Sequence, residues 1–324
     1  MDIYVKKAII HQFSPDDTDL YLADKFLNIT PKIEEYLRKK IERVYSDEAR
    51  TGIFEEDNPF LEMISDDLLE TSVAVANRWK EEFVVSENQK TNDLVFIQFS
   101  KEGVDHFAFL RIALRETLTH LGGEVDNPIK LTQNNLPGFG TGADEALVIN
   151  LQSRKYHLIE KRIKYNGTFL NYFSENLLQA QPKISPKKSI KALEKTAQKI
   201  AESFNTDDFQ FQSKVKSAIF NHIEEENKLS PEKLADDLFN DNLTARLSFI
   251  DQVKEAVPEP VTFEEIDASR QLKKFETQKL SLSNGIELIV PNNVYEDAES
   301  VEFILNENGT YSILIKNIED IQSK

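Results

Sequence analysis

The sequence predicts a mixed α+β fold, and three stretches with different hydrophobic periods support this prediction. Two short apolar runs rich in aromatic residues lie within residues 94–114 and are typical of paired strands. Residues 186–257 carry apolar residues at helical spacing. Beyond residue 261, two Asn-Gly pairs each join alternating apolar runs, which is a strong hairpin signal. We therefore expect a mixed or antiparallel sheet with packed helices in an N-terminal domain, followed by a helical region and a small β-rich C-terminal part.

The segment 94–114 is expected to form the central hairpin of the sheet. Its two apolar runs flank Lys101-Glu102-Gly103, and Gly103 can adopt the positive φ that suits a three- or four-residue hairpin loop. Both runs are almost continuously apolar, so we expect helices to cover both faces of the sheet.

Local signals predict the other elements of the N-terminal half. Thr30-Pro31 and Asn58-Pro59 each place an N-cap residue before a proline, so each begins a helix, the second of them broken once. The remaining expectations are a strand at 3–13, a charged break at 50–58, a loop at 122–144, a buried strand at 146–151 with a partner at 156–163, and a helix at 168–178.

Prolines mark a predicted domain boundary and two predicted helix starts in the second half of the chain. Pro182 and Pro186 border a polar stretch, which predicts a domain boundary at 179–185. Helices are expected from Pro186, over 207–226, from Pro231 and over 243–257, with a capping-box pattern at 262–265 before the change to β structure. The predicted domains are 1–182 (α+β), 183–260 (helical) and 261–324 (hairpin-rich), with 183–324 as one domain in the alternative.

Composition excludes several classes of function. The chain has no cysteine, so it has no disulfide, thiolate metal site or cysteine nucleophile, which fits a cytoplasmic protein. No apolar run is long enough for a membrane helix, and no membrane association is expected. The net charge of −17 repels nucleic acid unless positive charge is concentrated locally.

Candidate catalytic and ligand motifs have simpler interpretations. Residues 138–143, GFGTGA, fit a relaxed dinucleotide-binding pattern, but they lack the preceding strand and following helix, and a surface loop explains them better. The histidines show no metal-ligand spacing, and the acidic clusters are typical of solvated turns and helix faces. We therefore predict no catalytic residue, no metal site and no cofactor.

Two segments concentrate positive charge. The first, 154–164, holds five basic residues against Glu160, and the second, 183–199, holds six lysines against Glu194. In the second, apolar residues spaced by three and four form one helical face, and Lys188, Lys191, Lys195 and Lys199 form the opposite face. This lysine face is a solvated surface, a phosphate contact or a docking site for an acidic protein. The candidate nucleic-acid contacts are Arg154, Lys155, Lys161, Arg162, Lys164, Lys187, Lys188, Lys191, Lys195 and Lys199.

Several segments resemble, in their order and amino-acid sequence, the bacterial 37-kDa nucleoid-associated protein family, also called the NdpA family. These segments are AIIHQF at 8–13, ERVYSDEARTGIFEEDNP at 42–59, the hairpin at 94–114, ADEALVINL at 143–151 and the block at 153–173. The resemblance implies a bacterial cytoplasmic protein of the nucleoid that binds double-stranded DNA, contacts type II topoisomerases and has no known enzymatic activity.

These observations together predict a non-catalytic chromosome-organising protein that binds duplex DNA weakly and without sequence preference through a local basic surface. One alternative is an acidic interaction protein that a DNA enzyme such as a type II topoisomerase recruits to the nucleoid. Another is a nucleotide- or metal-dependent enzyme. The oligomeric state is left open by the sequence, and a homodimer is among the options.

Overall fold

The computed structural model describes residues 2–16, 18–84, 90–120, 129–165, 167–205, 209–263, 265–320 and 322. The chain divides into two compact units, Met1–Ser185 and Pro186–Lys324. Both combine helices and strands, and small hairpins follow the helices of the second unit, so the predicted mixed α+β fold class is confirmed. The domain limits of the sequence analysis stay a prediction.

The described strands of the first unit are β1 (Ile3–Ser14), β2 (Asp19–Tyr21), β3 (Arg50–Ile53), β4 (Asn92–Lys101), β5 (Val104–Ala113), β6 (Arg115–His120), β7 (Ile129–Asn135), β8 (Glu145–Asn150), β9 (Lys155–Ile159), β10 (Ile163–Tyr165) and β11 (Thr168–Leu170). Its described helices are α1 (Pro31–Val44), α2 (Pro59–Glu62), α3 (Leu68–Phe83) and a π-helical turn, Phe173–Leu177.

Seven of these strands form one antiparallel sheet with the order β2-β1-β4-β5-β8-β9-β3. The predicted central hairpin is confirmed as β4 and β5, but the expected loop length was wrong. Lys101 pairs with Val104, so the loop contains only Glu102 and Gly103, with φ of 52° and 82°. Positive φ at both positions is typical of a type I′ turn, whose twist matches that of the flanking strands.

Helices cover both faces of the sheet, as its continuous apolar strands predicted. On one face, α3 and the π-helical turn pack against alternate strand residues, among them Phe96, Phe109 and Leu147. On the other face, α1 packs against Val95, Leu110 and their neighbours. Because each strand contributes side chains to both cores, burial on two sides fixes the register of β4 and β5.

The predicted helix starts are confirmed in the first unit. The Thr30 hydroxyl accepts a hydrogen bond from the backbone N–H of Ile33, and the Asn58 side chain accepts one from Phe60. The second helix is broken, as expected. It ends at Glu62, and α3 then begins with Asp67 as its own N-cap.

Three further expectations for the first unit were wrong. The stretch taken as a loop at 122–144 contains β7, which pairs with β6 in a two-stranded ribbon, while 121–128 lie outside the described residues. The supposed helix at 168–178 begins as β11 and turns helical only at the π-helical turn. The charged break at 50–58 holds the edge strand β3. Short strands with polar side chains lack the apolar alternation on which the predictions depended.

The second unit contains a helical core and small hairpins. Its described helices are α4 (Pro186–Ser203), α5 (Phe209–Glu226), α6 (Pro231–Leu238), α7 (Leu243–Lys254), α8 (Glu265–Phe275) and α9 (Asn292–Tyr295). Its described strands are β12 (Lys228–Leu229), β13 (Val261–Thr262), β14 (Thr277–Ser281), β15 (Glu287–Pro291), β16 (Val301–Leu305) and β17 (Tyr311–Ile315). Both Asn-Gly hairpins are confirmed, with positive φ at Gly285 and Gly309.

Helix α8 was not predicted, because β structure was expected immediately after residue 265. The helix buries Ala268, Gln271 and Phe275, which are spaced by three and four residues and so lie on one face. Ala268 and Phe275 belong to the core that α4, α5, α6 and α7 also form.

Candidate nucleic-acid interface

Helix α4 separates its apolar and basic residues onto different faces. Ile190, Leu193, Ala197 and Ile200 are buried in the core of the second unit, and Phe204 packs against that core. The candidate contact Lys187 is exposed. The lysines predicted on the other face are exposed too: Lys188, Lys191, Lys195 and Lys199. We call this set the α4 lysine face. The first turn of α4 has no acidic residue, although the helix dipole favours acidic side chains there.

Within the described part of the chain, the α4 lysine face has few neutralising partners. Lys199 donates a hydrogen bond of 3.0 Å to the side-chain oxygen of Gln252 on α7. Lys191 lies within electrostatic range of Glu194, whose pKa is nevertheless raised because burial disfavours its charged form. Among the described residues, Lys188, Lys191 and Lys195 form no ion pair. Their ammonium groups therefore remain available to an external anion.

The other predicted basic segment, 154–164, is largely occupied by partners within the first unit. Arg154 forms an ion pair of 3.1 Å with Glu56, and Lys161 forms one of 2.7 Å with Asp144. Arg162 donates a hydrogen bond to the carbonyl oxygen of Phe169. Lys155 and Lys164 are exposed. The role of these five residues in nucleic-acid binding stays a prediction.

A groove at the base of the β6–β7 ribbon was not found from the sequence. It encloses about 770 Å³ and is lined by Lys90, Thr91, Ala113, Leu114, Arg115, Glu116, Gln133, Asn134 and Asp144. We call it the ribbon groove. Every lining residue is exposed or half-buried, so the groove opens to solvent.

Both carboxylates of the ribbon groove already have partners. Glu116 accepts a hydrogen bond from the Gln133 amide. Asp144 accepts hydrogen bonds from Lys161 and from the backbone N–H of Ala113. Burial alone would raise the pKa of Asp144, but these bonds and nearby Arg111 lower it overall, so the group stays ionised at neutral pH. By contrast, no described residue forms an ion pair with Lys90 or Arg115.

The glycine-rich loop at 138–142 is tied to α1 next to this groove. The buried Lys40 ammonium donates hydrogen bonds to the carbonyl oxygens of Pro137, Gly138 and Thr141. Strand β8 follows the loop, whereas a dinucleotide site requires a helix there. The interpretation as a surface loop is therefore confirmed, and hydrogen bonds hold the loop in place.

The pKa of Lys40 is lowered to about 8, mainly because burial disfavours the charged ammonium and also because of the nearby positive charges of Arg43 and Arg115, against an opposing effect of Asp144. The two arginines therefore lie within electrostatic range of the Lys40 ammonium. Arg43 also lies beside the loop, since a Cβ placed on Gly142 would be 3.8 Å from Cδ of Arg43.

A buried polar network in the first unit resembles a catalytic cluster in composition only. Arg111 bonds Glu145 at 2.6 Å and Asn92 at 2.8 Å, while Tyr172 donates to the same Glu145 oxygen and receives a hydrogen bond from Trp79. Burial opposes the charged form of Arg111, but Glu145 and Tyr172 outweigh it and raise its pKa above the usual value. Glu145 is fully buried and Arg111 nearly so, which makes the network a structural element of the core.

The histidines occupy structural positions. His11 accepts a hydrogen bond from the backbone N–H of Ala23 through Nδ1, so its Nε2 carries the proton that bonds Ser72. Burial lowers the pKa of His11 and of His106. In the described part of the chain, no group of three or more acidic or histidine side chains could hold a metal ion. No helix within the described residues has the length and apolar character to cross a membrane.

A family model relates the chain to known proteins. No curated protein matches the chain. The model of the family described as nucleoid-associated protein YejK matches residues 9–321, which include nearly all of both units. The chain therefore belongs to the nucleoid-associated protein YejK family.

Proposed function

We propose that the protein is a non-catalytic component of the bacterial nucleoid, in the cytoplasm, that binds duplex DNA weakly and without sequence preference. One observation carries the proposal: Lys188, Lys191 and Lys195 are exposed on α4 and form no ion pair among the described residues. Acidic side chains outnumber basic ones by 56 to 39. Exposed lysines without carboxylate partners are therefore notable, and a polyanion is the partner that best fits them.

The geometry of α4 supports contacts to the phosphate backbone. A helix rises about 1.5 Å per residue, so Lys188 and Lys195 are separated by about 10 Å along the helix axis. Long, flexible ammonium side chains on this spacing can reach successive phosphates without touching base edges. Each neutralised phosphate contributes about 0.9 to the slope of log K against log salt concentration. Lys187, Lys199, Lys155 and Lys164 are further candidate contacts.

The net charge of −17 limits the affinity, since most of the surface repels DNA. We expect dissociation constants of about micromolar or weaker at physiological salt, which is within the range of non-specific binding.

The test replaces Lys188, Lys191 and Lys195 together by Glu and measures binding of a labelled duplex at two salt concentrations. A matched control replaces the exposed Lys254, Lys273 and Lys279 of the same unit by Glu, which changes the net charge equally. The α4 variant should lose most binding at low salt, while the control loses much less. Thermal melting checks that the variants are folded, and their free energy of unfolding should change by less than about 0.5 kcal/mol per site. Equal affinities of the two variants would refute a specific role for the α4 lysine face.

The C-terminal hairpin β16–β17 favours a second candidate function, in which the chain docks on a basic protein. Leu305, Tyr311 and Ile315 share one face of this hairpin and are each about half exposed. Acidic residues are frequent around it, including Glu307, Glu319 and Asp320. An exposed apolar face in a segment rich in acidic residues suits a basic partner such as a DNA enzyme of the type II topoisomerase class. Duplex binding that appears only when such an enzyme is added would support this second function.

A further inference from the structure

We infer that the ribbon groove of the first unit is a separate binding site for the phosphodiester backbone of duplex DNA, with Arg43, Lys90 and Arg115 as its contacts. This inference rests on the proposed DNA-binding function and deepens it, because it adds a second contact surface. The three residues come from α1, from the segment before β4 and from the start of β6.

Three cations near the ribbon groove have no ion-pair partner among the described residues. Most arginines of the first unit are neutralised by carboxylates: Arg38 by Glu42, Arg50 by Glu160, Arg78 by Glu81 and Glu82, Arg111 by Glu145, and Arg154 by Glu56. Arg43 and Arg115 are exposed, and no described residue forms an ion pair with either. Lys90 is also exposed, and no described residue forms an ion pair with it. Lys90 and Arg115 line the groove, and Arg43 lies beside the glycine-rich loop that precedes the groove residue Asp144 in the chain.

The three cations also lie near one another. Arg43 and Arg115 both lie within electrostatic range of Lys40, and Lys90 and Arg115 line the same groove. Gathering like charges costs free energy unless an anion is bound between them. Neither carboxylate of the groove forms an ion pair with Lys90 or Arg115, and Asp144 is already paired with Lys161.

The lining of the groove selects the class of anion. A guanidinium group binds phosphate oxygens through two parallel hydrogen bonds, and the Gln133 and Asn134 amides can donate others. No aromatic side chain lines the groove among the described residues, so nothing there would stack on the base of a free nucleotide. The open shape suits a chain of phosphates that crosses the surface.

The experiment compares three variants in duplex titrations over a series of salt concentrations. The groove variant carries Arg43→Gln, Lys90→Gln and Arg115→Gln. Its matched control carries Lys7→Gln, Lys25→Gln and Lys32→Gln, three exposed lysines of the same unit with no ion pair among the described residues. The third is the α4 variant described above. We expect the groove variant to reduce the salt slope by up to about 2.7, which is three contacts at about 0.9 each, and the control to leave it nearly unchanged.

The outcomes separate this inference from the proposed function. A weakened groove variant supports the inference even if the α4 variant binds normally, in which case the role of α4 is refuted. A groove variant that binds like its control while the α4 variant fails overturns the inference and leaves the proposed function intact. Titration of the wild-type protein and the groove variant with ATP tests whether the groove binds free nucleotides instead. If the wild-type protein binds ATP and the groove variant does not, the site takes nucleotides and the assignment to the DNA backbone is wrong.

Discussion

Removing Glu145 should destabilise the first unit strongly, and removing Arg111 together with Glu145 should restore much of the loss. The two residues are paired across β5 and β8, and their side chains are almost completely excluded from solvent. In Glu145→Leu, the Arg111 guanidinium stays buried without its carboxylate, and Tyr172 loses its acceptor. In the double variant Arg111→Met, Glu145→Leu, no uncompensated charge remains.

The expected magnitudes follow from the burial of the pair. Breaking a buried ion pair by removing one partner costs about 3–5 kcal/mol, whereas replacing both partners by apolar residues of similar volume is often nearly neutral. For a unit of this size, 1 kcal/mol shifts the melting temperature by about 2–4 °C, so Glu145→Leu should lower it by roughly 6–20 °C. The Glu145 oxygen Oε1 is buried without a hydrogen-bond partner among the described residues, which should reduce the net value of the intact pair.

Urea unfolding followed by tryptophan fluorescence is the appropriate assay. Trp79 is the only tryptophan in the chain and donates a 3.0 Å hydrogen bond to Tyr172, so its emission reports on the first unit and on this network. Far-UV circular dichroism follows both units in parallel. If the single and double variants unfold at the same urea concentration, Arg111 and Glu145 are not coupled and the reasoning is refuted.

Three further predictions concern local features. Gly52→Ala should lower the free energy of unfolding by about 1–3 kcal/mol, because a Cβ there would lie 2.3 Å from the hydroxyl of buried Tyr156. The control is Gly140→Ala, where a Cβ would have nothing within 4 Å. Equal unfolding midpoints of the two variants would contradict the prediction. Lys40 has a folded pKa of about 8 against 10.5 for the free group, so the unfolded chain holds the extra proton between these values. The free energy of unfolding of the wild type should therefore rise with pH from 8 to 10.5 by up to about 3 kcal/mol relative to that of Lys40→Met. If the free energies of unfolding of the two proteins, measured with urea, change equally with pH, this effect is excluded. Limited trypsin digestion should separate the two units near Ser185 and leave a resistant N-terminal fragment, whereas first cleavage inside 94–114 would argue against this division.

The features that the sequence predicted are those encoded by neighbouring residues. The N-caps Thr30 and Asn58, the hairpin glycines Gly285 and Gly309, and the apolar stripe of α4 each depend on a few residues close together in the chain. Tertiary packing only completes what such local patterns begin. The exposure of the α4 lysines could be predicted for the same reason, because one helix places them.

The ribbon groove could not be predicted in this way. Arg43, Lys90 and Arg115 lie far apart in the sequence, and only the fold brings them near one another. The reverse holds for segment 154–164, where a run of basic residues looked available but Arg154 and Lys161 are paired with Glu56 and Asp144, which are distant in sequence. A run of basic residues shows where cations lie in the sequence, but the tertiary structure determines which carboxylates pair with them.

The stretch after the π-helical turn has a consequence for preparing the first unit as a fragment. The backbone N–H of Lys183 donates a 2.8 Å hydrogen bond to the carbonyl oxygen of Thr51, and Arg50 donates one to Pro182, so this stretch protects the outer edge of β3. An uncovered edge strand invites pairing with another chain and hence aggregation. A fragment truncated at residue 178 should therefore precipitate or oligomerise during purification. One truncated at residue 185 should keep the edge protected and stay dispersed at the same concentration.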